Sequence, residues 1–225
     1  MLDVVPASLP KTYRDIEWVA EKTHSFVSRI QVDISDGVYT HTKTWPYSGD
    51  DGEFDALKKE ERGLPFWKEV EYELDMMVTN PEEVFMDWIR AGMSALIFHF
   101  ESIKKEVSLD ELIAQVKEQG VEVGLALLPS TPNESLAPYL ETIDFVQCMG
   151  NDRIGKHGVS LDERVYEKIV DLRKKFSGII AVDIGVSKKT APLLISAGAT
   201  KFATYSALFG KEDIAKEIRY FQNLI

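Results

Sequence analysis

The 225-residue chain has one cysteine, Cys148, only four histidines, no excess of basic residues and no uninterrupted apolar run of membrane-spanning length. Each shortage removes a class of protein. A lone cysteine allows no intrachain disulfide and no cysteine-based zinc site, which points to a reducing, cytoplasmic setting. With 26 Lys and Arg against 37 Asp and Glu the net charge is −11, and no basic stripe is available to neutralise nucleic-acid phosphates. The N-terminal "MLDVVPASLP" has neither a basic leader nor a long apolar stretch, so neither an export signal nor a membrane partner is expected. The first strand-to-helix turn, "PASLPKTY", lacks Gly-x-Gly-x-x-Gly, which argues against a dinucleotide-binding open sheet.

What is present is an alternation. Short apolar runs rich in strand formers, "DVVPAS", "RIQVDIS", "EYELDMMV", "SALIFHF", "EVGLALL", "FVQCMG", "IIAVDIG" and "KFATYSALF", are separated by segments whose apolar residues recur at helical spacing. Those segments include "TYRDIEWVAEKTHSF", "NPEEVFMDWIRAG", "SLDELIAQVKEQG", "NESLAPYLETI", "LDERVYEKIVDLRKKF", "SKKTAPLLISAG" and "KEDIAKEIRYFQNLI". Ser108 and Glu111 have capping-box spacing, and Gly92, Gly120 and Gly198 stand at helix stops. Eight apolar strands joined by crossover helices over 225 residues predict an α/β fold, a (β/α)8 TIM barrel forming a single domain over 1–225. A doubly wound open sheet is the alternative. The stretch 42–67, "TKTWPYSGDDGEFDALKKEERGLPFW", is long for a βα connection and predicts a loop carrying a short helix, either a lid or surface decoration that includes a subunit contact.

The C-terminal strand ends of such a barrel converge, so acids placed there gain chemical meaning. Asp33, Asp75, His99 and Asp183 fall at or near the ends of four different strands. Gln31 and Asp33 are two apart and share a face, whereas Asp36 belongs to the turn "SDG". An isolated strand-end Asp is as readily a cap as a catalyst. Several carboxylates converging from different strands repel one another unless a cation lies among them or one keeps its proton, and either arrangement is typical of a working site. His99, between phenylalanines, reads equally as a packed structural histidine or a ligand, and Met76, Met77 and Met149 read as core fillers.

Taken in order, "VVPASL", "QVDISDGVY", "LDMMVTNPEE", "IFHFES", "GLALLPSTPNESLAPYLETIDFVQCMG" and "AVDIGVSKKTAPLLISAGATKF" resemble the ribulose-phosphate 3-epimerase family over nearly the whole chain. The resemblance implies inversion of the carbon beside the ketone of a pentulose phosphate through an enediolate. Two aspartates then exchange acid and base roles while a divalent metal steadies the oxyanion. It places those aspartates at Asp33 and Asp183, and puts Met77 and Met149 against the enediolate. Substrate contacts are implied for Ser8, His99, Gly155, Lys156, His157, Gly185 and Ser206, and a homo-oligomer is implied for the assembly.

Departures from the family pattern are specific. Both metal histidines are replaced, by Gln31 and Asp75, leaving Gln31, Asp33, Asp75 and Asp183 as an all-oxygen set that favours magnesium or manganese over zinc. The phosphate-binding glycines are altered too. The loop after the sixth strand reads "MGNDRIGKHG", Ile184 precedes Gly185, Tyr205 precedes Ser206, and the serine after proline is Ala7 with Ser8 one place on. Side chains at such positions obstruct the approach of backbone amides to an anion. The main expectation is an epimerase of D-ribulose 5-phosphate. The alternatives are a diverged isomerase or epimerase of another sugar phosphate, and a non-catalytic ligand-binding barrel.

Overall fold

The computed structural model describes residues 2–225. Its strands are β1 (Asp3–Ser8), β2 (Arg29–Ser35), β3 (Glu71–Met77), β4 (Ala95–His99), β5 (Glu122–Leu127), β6 (Phe145–Met149), β7 (Ile179–Asp183) and β8 (Lys201–Thr204). All pair in parallel with their sequence neighbours, and β8 closes onto β1, so the sheet is a (β/α)8 TIM barrel and not an open sheet. The strands are buried nearly throughout, which is why they read as continuous apolar runs instead of half-exposed alternations.

Around the barrel lie α1 (Tyr13–Thr23), α2 (Glu53–Lys58), α3 (Phe85–Arg90), α4 (Leu109–Glu118), α5 (Arg164–Arg173), α6 (Ala191–Ala197) and α7 (Ile214–Gln222). Two expected helices differ. "NESLAPYLETI" forms a 3-10 helix at Asn133–Tyr139 in place of an α-helix, and Pro138 inside it lacks the N–H that an α-helical ladder needs. The segment 80–92 splits into a 3-10 turn, Pro81–Glu83, and α3, because Val84 leaves helical geometry at φ −123°. Ser108 does cap α4, its side chain accepting from the Glu111 N–H. No helix among the described residues is long and apolar enough to cross a membrane.

Two apolar compartments result. The larger lies between barrel and helices; the smaller, Ala95, Ile97, Ala126, Phe145 and Met149, fills the barrel itself. The interior cluster is small because strand alternation also turns polar side chains inward. At the N-terminal end of the strands Lys201 pairs with buried Glu73 and lies 4.4 Å from the Phe145 ring centre, while Arg29 bonds Glu71 at 2.6 Å and Glu122 at 2.7 Å. This ion network sits at the opposite end of the barrel from the strand-end acids. The long β2–β3 connection is pinned to the body. Trp45 is buried and packs edge-on against Tyr13, Phe54 and Trp88 at centroid distances of 5.4, 5.7 and 5.8 Å; its backbone N–H donates to the Pro10 carbonyl and its indole N–H to Asp50 Oδ1.

Candidate active site

At the C-terminal mouth, Asp33 from β2 and Asp183 from β7 line one cavity with Ala7, Met77, Gly155 and Tyr205. The two acids arrive from strands separated by β1 and β8 around the closed sheet, so they reach the space from different walls. Asp33 Oδ1 accepts from Gln31 Nε2 at 2.8 Å, and Asp183 Oδ1 accepts from the Ile184 N–H at 2.8 Å. Each is more than nine-tenths buried. The strand register explains the third acid: Asp33 pairs with Asp75, which sets the Asp75 carboxylate beside it on the neighbouring strand.

Burial, followed by the charges of Asp183 and Asp75, pushes the Asp33 carboxyl well above the usual range. Asp183 rises to about 7, again through burial first and Asp75 second. Asp75 is differently placed: its Oδ1 lies 2.8 Å from His99 Nε2, and its Oδ2 accepts from Gln147 Nε2 at 3.2 Å. Burial alone would lower His99, yet the charge and hydrogen bond of Asp75, joined by the charges of Glu101 and Asp183, together outweigh that effect and raise it. Asp36 is a turn residue, as its position in "SDG" predicts. It accepts from the N–H groups of Val38, Tyr39 and Thr79, and these bonds more than offset its burial, holding its carboxyl below the usual range.

Of the positions expected to contact substrate, Met77, Gly155, Lys156, His157, Gly185 and Ser206 line the cavity. Three do not. Ser8 lines a neighbouring cleft with Lys11, Lys43 and Thr44, because strand alternation turns it away from the face that Ala7 presents. Met149 is fully buried in the interior cluster, and fully buried His99 stands behind Asp75. Gln147 was not singled out by sequence reasoning. Its signal is a polar residue two places before Met149 in the otherwise apolar "FVQCM", hence on the same inner face.

The four positions taken for a metal do not fit one. Both Asp75 oxygens are engaged by His99 and Gln147, and Gln31 turns its N–H donors, not its oxygen, toward Asp33. No three His, Cys, Asp or Glu among the described residues stand in metal-holding geometry. The cause is simple: a carboxylate facing an amide or imidazole recruits the N–H, and each bond so formed engages an oxygen that an ion would need.

One end of the cavity is walled by aromatics. The His157 and Tyr205 rings stack 4.1 Å apart at 21°, between the cavity and the cleft of about 260 Å³ that holds Ser8. The cavity itself is only about 40 Å³, room for about three waters at ~10–15 Å³ each. Gly185 has φ +76°, and a Cβ there would come within 2.6 Å of the Leu161 backbone nitrogen.

Comparison with known proteins gives a consistent result. A family model described as the ribulose-phosphate 3 epimerase family matches residues 7–209. A ribulose-phosphate 3-epimerase of Schizosaccharomyces pombe is 32% identical over 159 residues, covering 70% of this chain and 68% of that protein. The Bacillus subtilis ribulose-phosphate 3-epimerase is 32% identical over 151 residues, 65% of this chain and 68% of its own. The chloroplastic enzyme of Arabidopsis thaliana is 33% identical over 152 residues, 65% and 53% respectively. The matches thus span about half to two thirds of the relatives' length. Among solved structures, a 3-hexulose-6-phosphate synthase superposes with a TM-score of 0.66 at 17% identity, covering 100% of both chains, which is a likeness of fold alone.

Proposed function

The chain belongs to the ribulose-phosphate 3-epimerase family, and from that membership we propose that it epimerises a ketose phosphate, most simply D-ribulose 5-phosphate to D-xylulose 5-phosphate. The observation that carries this reading is the meeting of Asp33 and Asp183, from separate walls, across one cavity. Inversion at a carbon beside a carbonyl needs a base on one face of that carbon and an acid on the other. Near neutral pH the buried pair supplies both, because its carboxyls are raised and one holds a proton while the other is free to take one. The ionised member removes the proton, giving an enediolate. The protonated member delivers to the opposite face, and the reverse reaction exchanges their roles.

Met77 supplies an apolar wall, and Lys156, on the loop after β6, supplies a positive charge to the cavity lining for the substrate's phosphate. No step is assigned to a metal. A second reading, a related ketose phosphate of other shape, draws on the His157–Tyr205 stack, which narrows the end where a phosphate would lie. The partner class is a small anionic sugar; a cytoplasmic location and a homo-oligomer, measurable by light scattering, accompany the proposal.

The test is incorporation of solvent deuterium beside the ketone of a panel of ketose phosphates. Wild type is expected to exchange, and Asp33→Asn and Asp183→Asn to lose exchange while remaining folded. No exchange by folded wild type across the panel would defeat the proposal and favour a ligand-binding barrel.

A further inference from the structure

Divalent ions in proteins are held by lone pairs that nothing else uses. Magnesium demands near-octahedral oxygen ligands at about 2.0–2.1 Å, and zinc prefers nitrogen or sulfur in a tetrahedron. At the mouth of this barrel both oxygens of Asp75 are bonded to protein, as is one oxygen each of Asp33 and Asp183. Asp75 is bracketed by His99 on β4 and Gln147 on β6, at 2.8 and 3.2 Å, with all three side chains fully buried. Gln31, also fully buried, reaches along β2 to Asp33 at 2.8 Å. At the two positions where the family resemblance implies histidine, the chain has Gln31, which offers N–H groups to a carboxylate, and Asp75, whose oxygens receive N–H groups. The exchange is reciprocal: a ligand has become a donor, and another has become the acceptor of a donor pair.

We infer that the carboxylate centre is held by protein N–H groups from Gln31, Gln147 and His99, which occupy the place of a resident divalent cation. These three are positioning residues, orienting Asp33 and Asp75 from behind the cavity. The inference deepens the proposed epimerase reading, but metal binding is measured without turnover, so the two can fail separately. If deuterium exchange is absent and metal is also absent, the activity proposal falls and this one stands.

The intact protein, purified without chelator, is analysed for metal content and titrated calorimetrically with Mn(II), Mg(II) and Zn(II). The expected result is no stoichiometric metal and no saturable heat, with any solvent exchange unchanged after dialysis against EDTA. One equivalent of a divalent ion per chain, or exchange abolished by EDTA and restored by Mn(II), overturns the inference. The converse variant, Gln31→His with Asp75→His, removes the donor at one position and the acceptor at the other. It is expected to go from none to one equivalent of bound zinc, read by competition with a chromogenic chelator. A folded double variant that takes up no zinc also overturns the claim that these two positions exclude the ion. Should that variant fail to fold, the wild-type titrations decide alone.

Discussion

Replacing Asp183 with asparagine keeps the side chain's shape and the acceptor for the Ile184 N–H while removing one ionisable group, so its effects on catalysis and on stability have opposite signs. In the folded protein the Asp183 carboxyl is raised from 3.8 to about 7 by burial and by the charge of Asp75. A group raised on folding binds its proton more tightly in the native state, so its contribution to stability is complete below the unfolded pKa and is lost as pH climbs through the folded value. Three units at ~1.4 kcal/mol each set an upper bound of about 4 kcal/mol of destabilisation in wild type above pH 7, and sharing of the proton with Asp33 reduces this to about 2 kcal/mol. Asp183→Asn carries no such penalty. At pH 8 its melting temperature should exceed that of wild type by about 5 °C, at ~2–4 °C per kcal/mol for a chain of this size, and the gap should close toward pH 4. Over the same samples the loss of one proton-transfer group should lower solvent exchange and epimerisation by ~10²–10⁴-fold. Calorimetric scans from pH 4 to 8, run beside the exchange assay, give both readings. A variant that melts below wild type at pH 8, or that retains exchange within a few-fold, refutes the assignment of Asp183 as a strained, working acid.

Lys201→Met leaves Glu73 buried beside Arg29 alone, 3.5 Å away, and should cost about 3–5 kcal/mol at pH 7 in urea unfolding. Because burial already raises Glu73, part of that loss should return on lowering the pH to 5, and no recovery would count against an uncompensated carboxylate as the cause. Asp36→Asn removes a carboxyl held low by three backbone N–H groups. The stability it confers is present above the unfolded pKa and fades as pH falls through the folded one, so the urea-midpoint gap between wild type and variant should be wider at pH 7 than at pH 3. Gly185→Val places a branched side chain at φ +76° against the Leu161 backbone and should destabilise by about 1–3 kcal/mol while raising KM, read by thermal melting and steady-state kinetics.

The barrel was legible because its strands are buried on both faces, and two-sided burial writes a continuous apolar run that few other contexts produce. Helix type was less so. The apolar spacing of "NESLAPYLETI" is helical, but spacing is silent about the hydrogen bond that Pro138 cannot make, and Val84 breaks a segment whose periodicity continues through it. In the site, the aspartates were accessible because an acid at the end of an apolar strand costs desolvation and so announces itself. Their partners were not. Whether an amide presents oxygen or N–H depends on what it faces across the barrel, and Gln147 faces Asp75 from a residue 72 positions away. Ser8 lies one place beyond Ala7, and strand alternation, which the sequence does show, separates it from the cavity that Ala7 lines.

Ile184 shows how a strained backbone can be held in place by what surrounds it. It adopts the left-handed conformation that glycine favours, at φ +73°, a costly state for a β-branched residue. Its surroundings over-determine that conformation. The Ile184 N–H bonds Asp183 Oδ1, and the preceding Asp183 carbonyl accepts from the Gly150 N–H at 2.6 Å. The Ile184 carbonyl itself occupies the space a Cβ on Gly150 would need, 1.9 Å away. Relaxing the backbone at Ile184 would therefore rotate the N–H that fixes the Asp183 carboxylate and disturb the crossing with the loop after β6. The strain is local to one residue, whereas the geometry it preserves is shared by two strand ends, so a side chain at Gly150 would disturb both.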